Sequence, residues 1–278
     1  TGLTFGILQF KRITGMIIHP DSTNWLVVST RTGMYRTTDG GDNWSLVQGG
    51  TFQSLVTVVG AEHLLYAGTQ NNAKIWYSRD FGISWTMAST GLPVSGTSRA
   101  ELATTAADTN YVYAIYGANN NGLYGVYRST NKGISWTQMH GSTPNLLGWS
   151  TTGAGTGGQA WYDLTIAASP LNKDVILIGG VNIWRSNNGG SSFGLSGHWY
   201  GGGGASFVHA DHHWLTFRPN SNKVYAGTDG GVYRSTNSGL NNSWVARNDG
   251  MAITMYYKIS TSAANSNLTL AGAQDNGT

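Results

Sequence analysis

The stretch Val232-Tyr233-Arg234-Ser235-Thr236-Asn237-Ser238-Gly239 decides the fold, because the chain writes its pattern five times. Earlier copies read Tyr35-Arg36-Thr37-Thr38-Asp39-Gly40-Gly41-Asp42-Asn43-Trp44 and Trp76-Tyr77-Ser78-Arg79-Asp80-Phe81-Gly82-Ile83-Ser84-Trp85. Two more are Tyr127-Arg128-Ser129-Thr130-Asn131-Lys132-Gly133-Ile134-Ser135-Trp136 and Trp184-Arg185-Ser186-Asn187-Asn188-Gly189-Gly190-Ser191-Ser192-Phe193. The shared pattern is an aromatic residue, often Arg, then Ser/Thr-x-Asp/Asn-x-Gly-x-x-Trp/Phe. The closing aromatics fall at 44, 85, 136, 193 and 244, a period of 41 to 57 residues. A period of that length implies stacked supersecondary units, propeller blades first among them. Asp or Asn bonds the backbone two residues on, Gly takes a positive φ, and Trp packs into the blade. Asp39, Asp80, Asn131, Asn188 and Asn237 therefore read as structural residues of an anchored turn.

Composition agrees with an all-β fold. The 278 residues include 40 Gly, 11 Trp and 14 Tyr, with only 10% charged residues. A net charge of +3 without any run of Lys or Arg gives no nucleic-acid footprint. Cysteine is absent, so disulfides and thiolate metal sites are excluded. No stretch approaches the ~20 apolar residues of a spanning helix, so membrane insertion is not expected. The start, Thr1-Gly2-Leu3-Thr4, has neither Met nor a charged leader region. The chain reads as processed or cut from something longer.

Each unit repeats one order: an inner strand, a Pro/Asn turn, a second strand, a Gly/Asn loop, a third strand into the box, and a fourth strand after the Trp. The expected blades run roughly over 10–50, 51–95, 96–140, 159–200 and 205–250, with a partial sixth over 251–278. Four short strands per unit make a β-propeller of four-stranded antiparallel blades. Five blades and a half do not close a ring cleanly, so the region is expected to be part of a larger propeller whose parent chain continues past Thr278. The inserts over 146–158 and 194–204 read as loops within the repeat.

The repeat resembles the Asp-box, or BNR repeat, of sialidases, sortilin-type receptors and glycoside hydrolase family 74. The copy at Ser78, Asp80, Gly82 and Trp85 is complete; three copies carry Asn for Asp, and the last has two extra residues before Trp244. The resemblance implies a propeller with its boxes at the blade periphery. Thr228-Asp229-Gly230-Gly231-Val232-Tyr233-Arg234 is similar to a family 74 segment that carries a catalytic carboxylate. In that family the segment belongs to the first blade, where this chain has Thr30-Arg31-Thr32-Gly33 and no Asp. The sialidase Arg-Ile-Pro motif is missing too, since Arg12-Ile13 is followed by Thr14. The tract 161–278 resembles exported proteins of Bacteroidetes type, which implies an extracellular or cell-surface location.

Three features are expected on the face opposite the boxes. In Val208-His209-Ala210-Asp211-His212-His213-Trp214, an extended backbone would point His209, Asp211 and His213 the same way. They would then hold either a divalent cation or a hydrogen-bonded cluster lining a wet channel. Asp229 and Asp275, from equivalent loops of successive units, either belong to structural Gly-rich turns or supply the paired carboxylates of a glycoside hydrolase. Trp161, Tyr162 and Asp163 enter the fourth inner strand, where the aromatics either pack as core between blades or, in the case of Trp161, stack on a sugar ring. Three functions remain open from the sequence: a non-catalytic module binding a glycan or an extracellular protein, a family-74-type β-glucan hydrolase, and a structural subunit docking other chains or domains of its parent. The first leads, because the first-blade Asp is missing and the boxes are degenerate. No cofactor is expected beyond the cation considered at His209.

Overall fold

The computed structural model describes residues 12–251 and, as backbone, two further strands, Tyr256–Thr261 and Thr269–Ala273. Blade one comprises β1 (Ile13–His19), β2 (Ser22–Thr30), β3 (Gly33–Thr37) and β4 (Ser45–Gly49). Blade two comprises β5 (Phe52–Val58), β6 (Ala61–Thr69), β7 (Ile75–Ser78) and β8 (Thr86–Ala88). Blade three comprises β9 (Thr97–Thr104), β10 (Val112–Ala118), β11 (Leu123–Ser129) and β12 (Thr137–His140). Blade four has β13 (Thr165–Ala168), β14 (Ile176–Gly179), β15 (Ile183–Ser186) and β16 (Gly194–His198), with β17 (Ser206–Phe207) added in parallel at its edge. Blade five has β18 (His212–Phe217), β19 (Val224–Thr228), β20 (Gly231–Ser235) and β21 (Trp244–Ala246). The last two strands, β22 (Tyr256–Thr261) and β23 (Thr269–Ala273), pair as an antiparallel hairpin.

Every blade is a meander in chain order, and the first strands pack in series: β1 on β5, β5 on β9, β9 on β13, β13 on β18. Sheets that radiate from an axis lined by their first strands make a β-propeller. The fold expected from the repeat is the fold observed.

The core lies between blades. Val27 and Met34 of blade one pack with Phe52 and Leu65 of blade two, and Tyr66 and Ile75 of blade two pack with Tyr116 and Tyr127 of blade three. Ile115 and Val126 meet Ile176 and Trp184, and Leu177 and Ile183 meet Leu215 and Tyr233. A second strand therefore has both faces covered, which is why β10 (Val112–Ala118) and β14 (Ile176–Gly179) read as apolar runs instead of alternating.

The box turns follow from short polar side chains beside left-handed backbone. In blade two, Ser78 Oγ donates to Asp80 Oδ1 (2.7 Å) and accepts from Gly82 N (2.8 Å), and Ser84 N donates to Asp80 Oδ1 (2.9 Å). Thr37 with Asp39, Ser129 with Asn131 and Ser186 with Asn188 repeat this set. Blade five departs from it: its two extra residues bring Ser243 Oγ to Ser235 Oγ (2.6 Å), and the side chain of Asn237 bonds no described residue. The residue after each Asp or Asn has a positive φ, although only blades one and four place Gly there; the others use Phe81, Lys132 and Ser238. The N–H of that residue bonds back to the first hairpin of its own blade, as in Gly40 N to Asn24 O (2.9 Å) and Phe81 N to His63 O (3.0 Å). In two blades its carbonyl takes a bond from the previous blade: Arg36 Nε donates to Phe81 O (3.1 Å), and Arg185 Nε to Ser238 O (2.9 Å).

Blade four begins later than its sequence pattern implies. Residues 160–162 form a turn, and the strand starts only at Thr165. Tyr162 N and Asp163 N both donate to the Gln159 carbonyl (2.7 and 3.0 Å), a geometry that an extended strand forbids.

Candidate functional site at the seam of blades four and five

The turn that opens blade four is held from blade three. Arg99 on β9 donates from Nη1 to the carbonyls of Ala160 (3.5 Å) and Tyr162 (3.4 Å), and from Nη2 to that of Leu164 (3.3 Å). The same guanidinium pairs with Glu101 Oε1 at 2.7 Å, both side chains being mostly buried. Burial pushes the Glu101 carboxyl upward against the pull of Arg99. A rigid planar fork suits this task, since five donors of fixed direction meet one carboxylate and three carbonyls. Trp161, Tyr162 and Asp163 are thereby fixed at the mouth of blade four.

Blade five meets them with a bulge. His212 pairs with Thr228 and Trp214 with Gly227, which leaves His213 as the extra residue. A bulge re-aims its side chain, and His213 turns toward the next loop of its own blade. There the Thr228-Asp229-Gly230-Gly231 turn is closed by Thr228 Oγ1, which bonds Gly231 O and Gly230 N (both 3.1 Å), and by Asn248, which accepts from Val232 N (2.8 Å). Gly230 answers to a close approach: a β-carbon there would lie 2.2 Å from the His209 ring. The equivalent first-blade turn, Thr30 to Gly33, is closed the same way, with Arg31 where blade five has Asp229.

Asp229 is the centre of the arrangement. Its Oδ2 accepts from Tyr162 Oη (2.7 Å), and its Oδ1 lies 2.7 Å from His213 Nε2. The Tyr162 and His213 rings meet edge to face at 4.8 Å, and Trp161 leans on Tyr162 at 5.3 Å. Trp161 itself is 66% exposed. The result is a bare indole beside a carboxylate–imidazole–phenol network that joins two blades.

Behind this network sit two acids. Asp163 is buried, and burial, reinforced by the charge of Asp211, pushes its carboxyl up to about 9. Asp163 is therefore neutral at pH 7. Asp211 Oδ1 accepts from Gln159 Nε2 (3.0 Å). His212, fully buried, donates from Nδ1 to the Gly180 carbonyl (2.6 Å), and burial lowers it to about 4, so it too stays neutral.

The expected alignment of His209, Asp211 and His213 does not form. Asp211 adopts φ +63° and the strand begins only at His212, so the period-two premise fails. His209 turns to the Ala210 carbonyl, Asp211 to Gln159 and His213 to Asp229. Among the described residues, no three His, Asp or Glu side chains converge as a metal requires. Asp275 lies outside the described residues, so the pairing imagined with Asp229 has no geometry to report. Arg99, Glu101 and His212 are the functional positions that sequence reasoning misses. Two opposite charges two residues apart on an inner strand, in a chain with 10% charged residues, were the available signal for the first two.

The described residues form five four-stranded propeller blades and a further hairpin, and comparison with known proteins adds fold relatives without a family. No family profile and no curated protein matches the sequence. Among solved structures, a glycoside hydrolase family 74 xyloglucanase from Xanthomonas campestris superposes with a TM-score of 0.62 at 17% identity, over 94% of this chain and 42% of that one. An ancestral family 74 enzyme gives 0.51 at 16% identity, over 96% and 47%. A chain of a nidogen/laminin complex gives 0.54 at 9% identity, over 86% and 81%. The chain thus spans less than half of either family 74 relative, and the likeness is one of fold.

Proposed function

We propose that the seam of blades four and five is the ligand-binding surface of a non-catalytic propeller module that takes a neutral glycan. One observation carries this reading: both carboxylate oxygens of Asp229 are engaged, by Tyr162 and His213, directly beside the exposed Trp161. A carboxylate with both oxygens engaged is a good fixed point for orienting ring hydroxyls. The indole face packs against the C–H face of a pyranose while the network reads its hydroxyls. Export to the cell surface or medium belongs to this proposal and predicts recovery of the native protein outside the cytoplasm on fractionation.

The Asp229–His213 contact favours a second reading, in which Asp229 works with another carboxylate as a family-74-type hydrolase. The discriminating experiment titrates the chain calorimetrically with xyloglucan and mixed-linkage β-glucan oligosaccharides while assaying reducing ends. The binding reading expects a saturable component that Trp161→Ala weakens by roughly tenfold or more, with no sugar released. Release that Asp229→Ala abolishes would establish the hydrolase instead. Absence of any Trp161-dependent binding would leave a protein-docking or scaffold role.

A further inference from the structure

A cavity lies away from the seam, on blade three. It has a volume of about 490 Å³ and is lined by Ala118, Asn120, Leu123, Tyr124, Tyr127 and Gln138, with residues 141–143 and 155–156 of the long β12–β13 connection closing its side. That volume falls within the usual range of small-ligand pockets. Among the described residues, no Asp, Glu, Lys or Arg lines it.

Its walls are fixed before any ligand arrives. Asn145, buried in that connection, accepts from Leu123 N (2.9 Å) and Leu147 N (3.2 Å) and donates to Gly157 O (2.8 Å). Asn120 donates to Thr156 O (2.6 Å) and accepts from Gly122 N (3.1 Å), which ties the β10–β11 hairpin to the same connection. Leu146 and Leu147 bury themselves in the core between blades three and four and root the insert there. Gly122 is needed for the fit, since a β-carbon would stand 2.2 Å from the Thr156 carbonyl. Gly125 leaves room for Gln138, whose Nε2 would lie 2.9 Å from a β-carbon at that position. Tyr127 is buried and stands edge-on to Tyr116 at 5.4 Å, so its ring forms a rigid floor.

The lining leaves polar groups unspent. The Tyr124 hydroxyl, the Gln138 amide and the Thr143 hydroxyl bond no described residue, whereas the side chains of Asn120 and Asn145 are engaged in holding the walls. Unpaired hydroxyls and an amide around tyrosine rings, without a formal charge, suit a ligand that is itself uncharged, rich in hydroxyls and apolar on its ring faces. We infer that this cavity on blade three is a second binding site, built for one or two residues of a neutral sugar chain. It is independent of the seam, shares none of its side chains, and stands whether or not the seam binds glycan.

The test uses the chain with Trp161→Ala, which removes the seam's stacking surface, titrated with cellotetraose, mannotetraose and maltotetraose. At least one tetrasaccharide binds, and Gln138→Ala or Tyr124→Ala in that background weakens it by roughly tenfold, the factor for one lost neutral hydrogen bond or ring contact. Gln138 is exposed, so its variant keeps the fold, which an unchanged circular dichroism spectrum verifies. The inference is overturned if none of the three sugars binds in the Trp161→Ala background, or if binding there is indifferent to both pocket variants. Binding that Trp161 controls but Gln138 and Tyr124 do not would uphold the seam and remove the pocket.

Discussion

Tyr162, held on a turn of blade four, donates its hydroxyl to Asp229 on a hairpin of blade five, 2.7 Å away. The bond crosses between two separately folded sheets, so it locks the seam as well as shaping its surface. Tyr162→Phe should lower stability by about 1 kcal/mol, the net worth of a neutral-to-charged bond that water replaces in part. Urea unfolding reads this directly. An unchanged midpoint would mean that the two blades meet without help from this pair.

The Arg99–Glu101 pair makes a stronger prediction. Arg99→Met leaves Glu101 buried without its partner and frees three carbonyls of the 160–164 segment. Removing one member of a buried pair costs about 3–5 kcal/mol, while Arg99→Met with Glu101→Leu should restore a large part of that. If the double variant is no more stable than the single one, the carbonyl grip outweighs the ion pair.

Two buried groups give the stability a pH profile of defined sign. Asp163 is protonated when folded and ionised when unfolded between its ordinary 3.8 and about 9, so the unfolded chain binds fewer protons and stability falls as pH rises through that window. His212 acts oppositely: its folded value near 4, below the ordinary 6.5, means stability falls as pH drops from 6.5 to 4. The two slopes offset each other between pH 4 and 6.5, and above that only Asp163 of the two contributes a slope. Stability should decline between pH 7 and 9 by on the order of 2 kcal/mol, and Asp163→Asn should flatten the decline. Denaturant midpoints across that range check both statements; an equal decline in the variant would assign it elsewhere.

The box turns are not equivalent, and substitution should show it. Asp80 accepts from Ser78 Oγ, Ser84 N and Ser84 Oγ, while the Asn237 side chain bonds no described residue. Asp80→Ala is expected to cost about 1–2 kcal/mol, and Asn237→Ala to stay within about 0.5 kcal/mol of the parent. Thermal shifts of the two variants compared side by side decide the point. Equal losses would mean that the fifth turn relies on Asn237 in some other way.

The blades are legible in the sequence because their punctuation is local. A Ser or Thr two residues before an Asp or Asn builds its turn from neighbours alone, and the apolar runs of second strands report burial on both faces. The seam is a different case. Its geometry depends on a bulge at His213, a left-handed Asp211 and a guanidinium donated from blade three, none of which has a local signature. Trp161, Tyr162, Asp163, His213 and Asp229 can be picked out by residue type, but their mutual arrangement comes from contacts 50 to 67 residues apart, such as Gln159 to Asp211 and Tyr162 to Asp229. Phe81, Lys132 and Ser238 likewise occupy left-handed positions that composition would assign to Gly.

The arginines that reach from one blade to the next grasp main chain and ignore side chains. Arg36 holds a carbonyl that belongs to a phenylalanine, and Arg185 holds the matching carbonyl of a serine. A coupling that reads only the backbone adds no side-chain requirement of its own to the packing between blades. Units of this kind can be duplicated, transposed or diverged at their loops while still fitting their neighbours. Such interchangeability lets an ancestral array lengthen by copying, and lets single members, such as blade three with its insert or blade five with Asp229, acquire features that the others lack.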